Sequence, residues 1–250
     1  MEKLKKILVI VDPDNDKDHV IDRAILLGFY YRASVVLVMN KANVLAQEES
    51  TQSGLTARFF SSQKQKFQEH YQDRLDALQK RFEAQGIEAR SVFTSDKNAS
   101  EALLKLIHSE QPDMVLKSVQ KPGRLARILI TNTDWRLVKN CPTPLLLVKA
   151  QPWVEDGCVM ASVDPMHAKA QQNALDHLLL ETTASLARAM QLNTRVFHCY
   201  FPDLSAMFPK VTDAEVYIRK VRQQHRDRLL ELIHEHHIDE QNLVMTRGDV

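Results

Sequence analysis

Two carboxylates stand at matching places in this sequence. Asp12 closes the run Ile7-Leu8-Val9-Ile10-Val11, Asp164 closes Val159-Met160-Ala161-Ser162-Val163, and a proline follows each, Pro13 and Pro165. Such a carboxylate at the end of a buried-type strand has two uses. It accepts a backbone N–H from the following turn while proline presets φ, or it faces a ligand at the C-terminal edge of a parallel sheet, where ligands generally sit. The residues leave both uses open.

Imidazoles form the other conspicuous group. His234-Glu235-His236-His237, with His225 earlier on the same helical pattern, is the densest set, and imidazole suits zinc or nickel. The run does not spell H-E-x-x-H, and no carboxylate or cysteine at ligand spacing completes a set. A polar helix end facing water accounts for it, and no metal is expected. His198 and Cys199 end an apolar strand, where a packed strand end competes with a weak metal or redox contact. Lys117, Lys121, Arg124 and Arg127 follow one another after a strand, either as a solvated helix face or as charge offered to an anion. No Ser, His and Asp can be nominated as a triad, because a nucleophile needs a base held in reach, so no catalytic residue is expected. Glycine sharpens the negative case. Only six are present, no two near each other, so neither G-x-G-x-x-G, nor a P-loop, nor a G-x-S-x-G elbow can be written.

The elements that must position these residues occur twice. After each Asp-Pro comes a polar turn and a helical pattern, Val20, Ile21, Ala24, Ile25 in the first copy and Ala174, Leu175, Leu178, Leu179, Leu186 in the second. Strands follow near residues 34–39 and 194–200. Long helices then carry the stripes Phe67, Tyr71, Leu75, Leu78, Phe82 and Ile218, Val221, Leu229, Leu232, and third strands follow near 88–93 and 242–246. The first copy continues with Asn98-x-x-Glu101 in capping-box form, a helix with Ala102, Leu103, Leu106 and Ile107, a strand at 114–116, a helix near 134–139 and a strand at 145–148. Strands alternating with helices imply a parallel sheet covered on both faces. The second copy stops where the first still runs for roughly 54 residues, about a third of an average domain. The expected organisation is α/β in two tandem units: a complete five-stranded domain over 1–150, a linker over 151–157 holding the Pro152-Trp153 pair, and a partial domain over 158–250 lacking its last helix-strand-helix-strand. Loss of the later strands would leave the first strand of the second unit with one unpaired, apolar side.

Composition narrows the partners. Lys plus Arg at 33 against Asp plus Glu at 32 gives no counterion-release drive for nucleic acid and no polybasic run for a membrane. Three cysteines without a C-x-x-C pair fit reduced thiols. No apolar stretch approaches the ~20 residues of a membrane span. The default expectation is a cytoplasmic chain.

The strand ending in Asp, Pro112-Asp113 before the fourth strand, Cys141-Pro142-Thr143-Pro144 before the fifth, Val115-Leu116-Lys117, Thr133-Asp134-Trp135 and Val148-Lys149-Ala150-Gln151-Pro152-Trp153 together resemble the universal stress protein family, its tandem E-type members in particular. The resemblance implies Rossmann-like units of the adenine nucleotide alpha hydrolase type with strand order 3-2-1-4-5. It implies a role in stress survival, including tolerance of DNA damage. Many members bind ATP through Gly-x2-Gly-x9-Gly-Ser/Thr after the fourth strand, where backbone N–H groups hold the phosphates. Here those positions fall on Ser118, Lys121, Thr131 and Asn132, so the first unit lacks the motif, and the matching stretch of the second unit lies beyond Val250. What the resemblance leaves is the nucleoside end of the pocket: Asp12, Pro13, Val163 and Asp164. No cofactor is assigned, and ATP is expected only weakly. The family also implies a homodimer or an internal pseudo-dimer across fifth strands. The resulting expectation is a non-catalytic ligand or partner sensor. The alternatives are an adenine-nucleotide binder with weak ATPase in a full-length form, and a binder of a non-nucleotide small ligand in the first domain, with the connection 40–58 lining its pocket.

Overall fold

The chain divides into two compact units, Lys3–Pro152 and Trp153–Val250. The computed structural model describes residues 4–13, 19–41, 55–119, 132–149, 151, 157–166, 170–202 and 214–248. Most of the segment expected as the linker therefore lies outside the described residues.

In the first unit, β1 (Lys6–Val11), β2 (Ser34–Asn40), β3 (Ala89–Thr94), β4 (Met114–Val119) and β5 (Leu145–Lys149) alternate with α1 (His19–Tyr31), α2 (Leu55–Glu83), α3 (Ala99–Glu110) and α4 (Asn132–Asn140). All strands are parallel, in the order β3-β2-β1-β4-β5. The apolar runs are β-branched and short, so they form strands, and parallel pairing needs helical crossovers that then cover both faces. Leu8 and Ile10 of β1 meet Leu103 and Ile107 of α3 and Leu137 of α4 on one face. Ile7, Val9 and Val11 are also buried, with α1 and α2 carrying Ile21, Leu27, Leu75 and Phe82 into the core. The Pro112-Asp113 word has a mechanical role. Asp113 Oδ2 accepts the backbone N–H groups of Lys5 and Lys6 at 2.7 and 2.9 Å, fastening the start of β1 beside β4.

The second unit contains β6 (Cys158–Ser162), α5 (Ala170–Met190), β7 (Asn193–Tyr200), α6 (Ala214–Glu235), a single 3-10 turn Glu240–Asn242 and β8 (Leu243–Arg247). Its parallel sheet runs β6-β7-β8. The 3-10 turn, closed by Asn242 N–H to Asp239 C=O at 3.0 Å, takes residue 242 out of the expected strand. Ala161, Val163 and Val196 pack against Leu180 of α5 and Leu229, Leu232 and Ile233 of α6. Burying each of those leucine and isoleucine side chains contributes about 1.5–3 kcal/mol.

The predicted capping box at α3 is not formed. Asn98 makes no side-chain cap to the helix backbone. Its amide donates to Glu101 Oε2 at 2.9 Å, and its oxygen accepts from Ser100 Oγ at 3.0 Å, so the two side chains satisfy neighbours rather than orphan N–H groups. Arg136 Nη1, donating to Ser100 Oγ at 3.0 Å, ties this corner to α4.

Candidate functional site

In the first unit a cavity of about 270 Å³ opens at the C-terminal edge of β1, β2 and β4. Asp12 and Pro13 line it where β1 ends, Asn40 and Lys41 where β2 ends, and Lys117 reaches it from β4. Lys97 and Ala99 at the start of α3 and Thr133 at the start of α4 close the rim. The same Lys97, Ala99 and Thr133 border an adjoining open hollow of about 490 Å³ that also holds Asn132, Trp135, Arg136 and Lys139. Asn40 stiffens this edge: Thr94 Oγ1 and Asp96 N–H both donate to its amide oxygen, at 2.7 and 3.1 Å.

Beneath the cavity lies a buried ion pair. Lys117 Nζ stands 2.7 Å from Asp134 Oδ1, with Asp134 fully buried. Lys117 Nζ also donates to the Ser118 carbonyl at 3.2 Å. A lysine stem that emerges from a strand cannot reach water there without its charge being met, and Asp134 in the first turn of α4 meets it. Among the described residues cations outnumber carboxylates around the two hollows, with Lys41, Lys97, Lys117, Arg136 and Lys139 against Asp12 and Asp134. The geometry therefore presents side-chain charge to a ligand where a glycine loop would present backbone N–H groups.

The expected phosphate-loop positions scatter. Ser118 is inside β4 and buried, and among the described residues its hydroxyl has no hydrogen-bond partner. Asn132 opens α4 and borders the outer hollow. Lys121, Thr131, Arg124 and Arg127 lie outside the described residues. Of the connection 40–58, residues 42–54 lie outside them too, Asn40 ends β2 and residues 55–58 belong to α2, so only its first two residues, Asn40 and Lys41, are seen to line the cavity.

In the second unit the corresponding edge is built differently. Asp164 Oδ1 accepts the N–H of Met166 at 3.3 Å, so the carboxylate caps the turn after β6. Asp176 Oδ1 in turn accepts the Asp164 N–H at 3.4 Å. Val163 is buried, and its carbonyl lies 2.9 Å from His198 Nδ1. A carbonyl only accepts, so Nδ1 carries a proton, and in the neutral ring His198 Nε2 then offers a lone pair, 2.7 Å from Nδ1 of His225 on α6. Burial, then the neighbouring His198, push His225 below the ordinary imidazole pKa, while Asp164 pulls it up. His198, expected as a strand end or weak ligand, is thus the inner half of an imidazole pair. His236 leaves the expected polar helix end and stands with Nε2 2.8 Å from His177 Nδ1 of α5. Burial, then His177, lower its pKa as well. One signal in the sequence pointed to both. Ile218, Val221, His225, Leu229, Leu232 and His236 follow one another at spacings of three and four, so the histidines extend the buried stripe of α6.

The fold matches known proteins. Residues 3–149 match the model of the universal stress protein family. The chain belongs to that family. Universal stress protein E of Escherichia coli K12 is 33% identical over 131 residues, 50% of this chain and 40% of its own length. Universal stress protein E of Photorhabdus laumondii is 24% identical over 205 residues, 78% of this chain and 62% of its own. The chain thus spans 40 to 62% of the length of these universal stress proteins. A crystal structure from Pseudomonas aeruginosa UCBPP-PA14, assigned to the same family, superposes over 99% of this chain and 76% of its own with a TM-score of 0.75 at 15% identity, which shows the shared fold. Among the described residues no helix is long and apolar enough to cross a membrane.

Proposed function

We propose that this universal stress protein acts in cytoplasmic stress survival, including tolerance of DNA damage, as a non-catalytic sensor of a small anionic ligand held in its first unit. The observation that carries this reading is the cavity above Lys117 and Asp134, rimmed by Lys41 and Lys97 and floored by a charge already paired. At about 270 Å³ it falls just under the ~300–1,000 Å³ of typical small-molecule pockets. Compact carboxylates and phosphates fit that size and charge better than a nucleoside triphosphate does. Asp12 then serves as an orienting acceptor at the β1 end, and neither Asp12 nor Asp164 is asked to move a proton. Partner signalling runs through a homodimer joined along β5, the edge strand of the five-stranded sheet.

Calorimetric titration of the whole chain with inorganic phosphate, succinate, AMP and Mg-ATP tests this. Binding of phosphate or succinate that is abolished in Lys97→Met is the expected outcome. Tighter binding of Mg-ATP with release of phosphate would replace it with the nucleotide reading. A strictly monomeric mass by light scattering would remove the β5 contact.

A further inference from the structure

The second unit holds two close imidazole pairs, and both fasten the same helix. His225, on α6, meets His198 of β7, which is itself tied to the Val163 carbonyl at the end of β6. His236, immediately after α6, meets His177 of α5. Between them on the helix lie Leu229, Leu232 and Ile233, the residues that α6 contributes to the core. The two contacts bracket that apolar stripe, about 16 Å apart along the helix axis at 1.5 Å per residue.

An N···N contact of this kind needs one proton and one lone pair. A neutral pair meets that condition, and so does a pair with one added proton on an outer nitrogen. A second added proton sets N–H against N–H, and the contact opens. Two separated imidazoles, by contrast, both charge below about pH 6.5. Each closed pair therefore excludes one proton that the open arrangement binds. We propose that the His198–His225 and His177–His236 pairs are acid-released latches, which hold α6 on the sheet and on α5 at neutral pH and let it go under mild acid.

The surrounding groups fit that device. Asp164, from the turn after β6, faces His225, and the Tyr200 ring of β7 lies 5.7 Å from its ring. Glu181 of α5, Glu235 of α6 and the adjoining His237 face His236, and Glu235 Oε2 is 3.8 Å from His177 Nδ1. Asp176, Arg228 and Glu231 line the hollow of about 120 Å³ beside that pair. The carboxylates favour the first added proton in each pair. Among the described residues Glu235 Oε2 is the one carboxylate oxygen shown near a facing nitrogen, His177 Nδ1, and at 2.8 Å the two nitrogens still leave no room for two protons between them, so the second proton breaks the contact.

The first unit supplies an internal control. Counting back equally from the left-handed residues that close the two helices, Gly86 and His237, places Arg74 opposite His225 and Gln85 opposite His236. Arg74 Nη1 donates to the Pro13 carbonyl at 2.7 Å, tying α2 to the end of β1 with a group that stays charged throughout this range. The same helix position is therefore a permanent tie in one unit and a titrating one in the other.

Hydrogen exchange of the whole chain, followed by mass spectrometry from pH 7.5 to 5.0 and corrected for the intrinsic pH dependence, tests the proposal. Protection of α6 should fall as pH falls, with a limiting dependence of about 100-fold per pH unit for two excluded protons, while α2 keeps its protection. His198→Gln retains an amide N–H for Val163 and an oxygen that accepts from His225 in either charge state, so it should lower the dependence to about 10-fold, as should His177→Gln; together they should abolish it. Unchanged α6 protection at pH 5.0, parallel loosening of α2, or a dependence that survives in the double variant would overturn the proposal. Should a variant fail to fold, the ring nitrogens of the unmodified protein, observed by NMR, decide the matter. Four independent titrations near pH 6.5 with α6 still protected would sink the latches.

Discussion

Strands β1 and β6 come from the same sequence pattern and meet different fates. In β1 every residue from Ile7 to Val11 is buried, because β2 and β4 pair on its two sides and helices cover both faces. In β6 only Ala161 is buried, and β7 is its single strand partner among the described residues. Leu8 is 0% exposed, whereas Met160, at the matching position, is 51% exposed. The helices explain the difference. α5 and α6 repeat α1 and α2 and cover the Ala161 and Val163 face, while α3 and α4, which cover Leu8 and Ile10, have no described counterpart in the second unit. Among the described residues the second unit thus shows one apolar layer plus its imidazole contacts, and the first shows two layers plus an internal ion pair. Stability in the two units has different chemistry, and it should fail under different insults.

The largest expected effect separates them through charge. Lys117→Met removes the ammonium 2.7 Å from the buried Asp134 carboxylate and should cost the first unit about 3–5 kcal/mol, with the second unit unmoved. Adding Asp134→Leu should recover most of the loss; chemical denaturation followed by probes in each unit would show this, and an equal loss in both units would break the comparison.

Acid should act the other way. His225 and His236 are held below their ordinary pKa, chiefly by burial. Below about pH 6.5 the unfolded chain therefore binds protons that the folded unit refuses. Stability from these groups is complete above that pH and drains away as pH falls towards the folded values. Calorimetric scans at pH 7.5 and 5.5 should show the second unit's transition moving down and the first unit's holding.

The smallest effect concerns backbone strain that both units share. With few glycines to spend, four helices close on non-glycine residues in the left-handed region, Arg32, Gln111, Gln191 and His237, whereas Gly86 closes α2. The same cap bond recurs in Ala33 N–H to Gly28 C=O, Ile87 N–H to Phe82 C=O, Leu192 N–H to Ala187 C=O and Ile238 N–H to Ile233 C=O. Gln191→Gly should stabilise the second unit by about 0.5–1 kcal/mol, and Gly86→Ala should cost the first about as much, both read from thermal midpoints.

The parts of this protein legible in the sequence were those that local pattern encodes. Short apolar runs, stripes at spacings of three and four, and the recurrence of Asp-Pro after a strand sufficed for two α/β units and the position of the helices, because strand and helix periods are properties of neighbouring residues. Glycine scarcity likewise meant that no glycine-rich phosphate loop could be written anywhere in the sequence. The turn-capping use of Asp164 was already one of the two readings that its place between a strand and a proline allowed. Contacts between distant elements were not legible. Lys117 and Asp134 belong to a strand and to the next helix, and their pairing depends on how α4 lies against β4. His198 and His225 are 27 residues apart, His177 and His236 are 59, and nothing in their spacing names a partner. Only the packing of α6 on β7 and α5 brings those rings within hydrogen-bond distance, because an N–H···N bond is decided by ångströms and angles that the chain acquires when its elements dock.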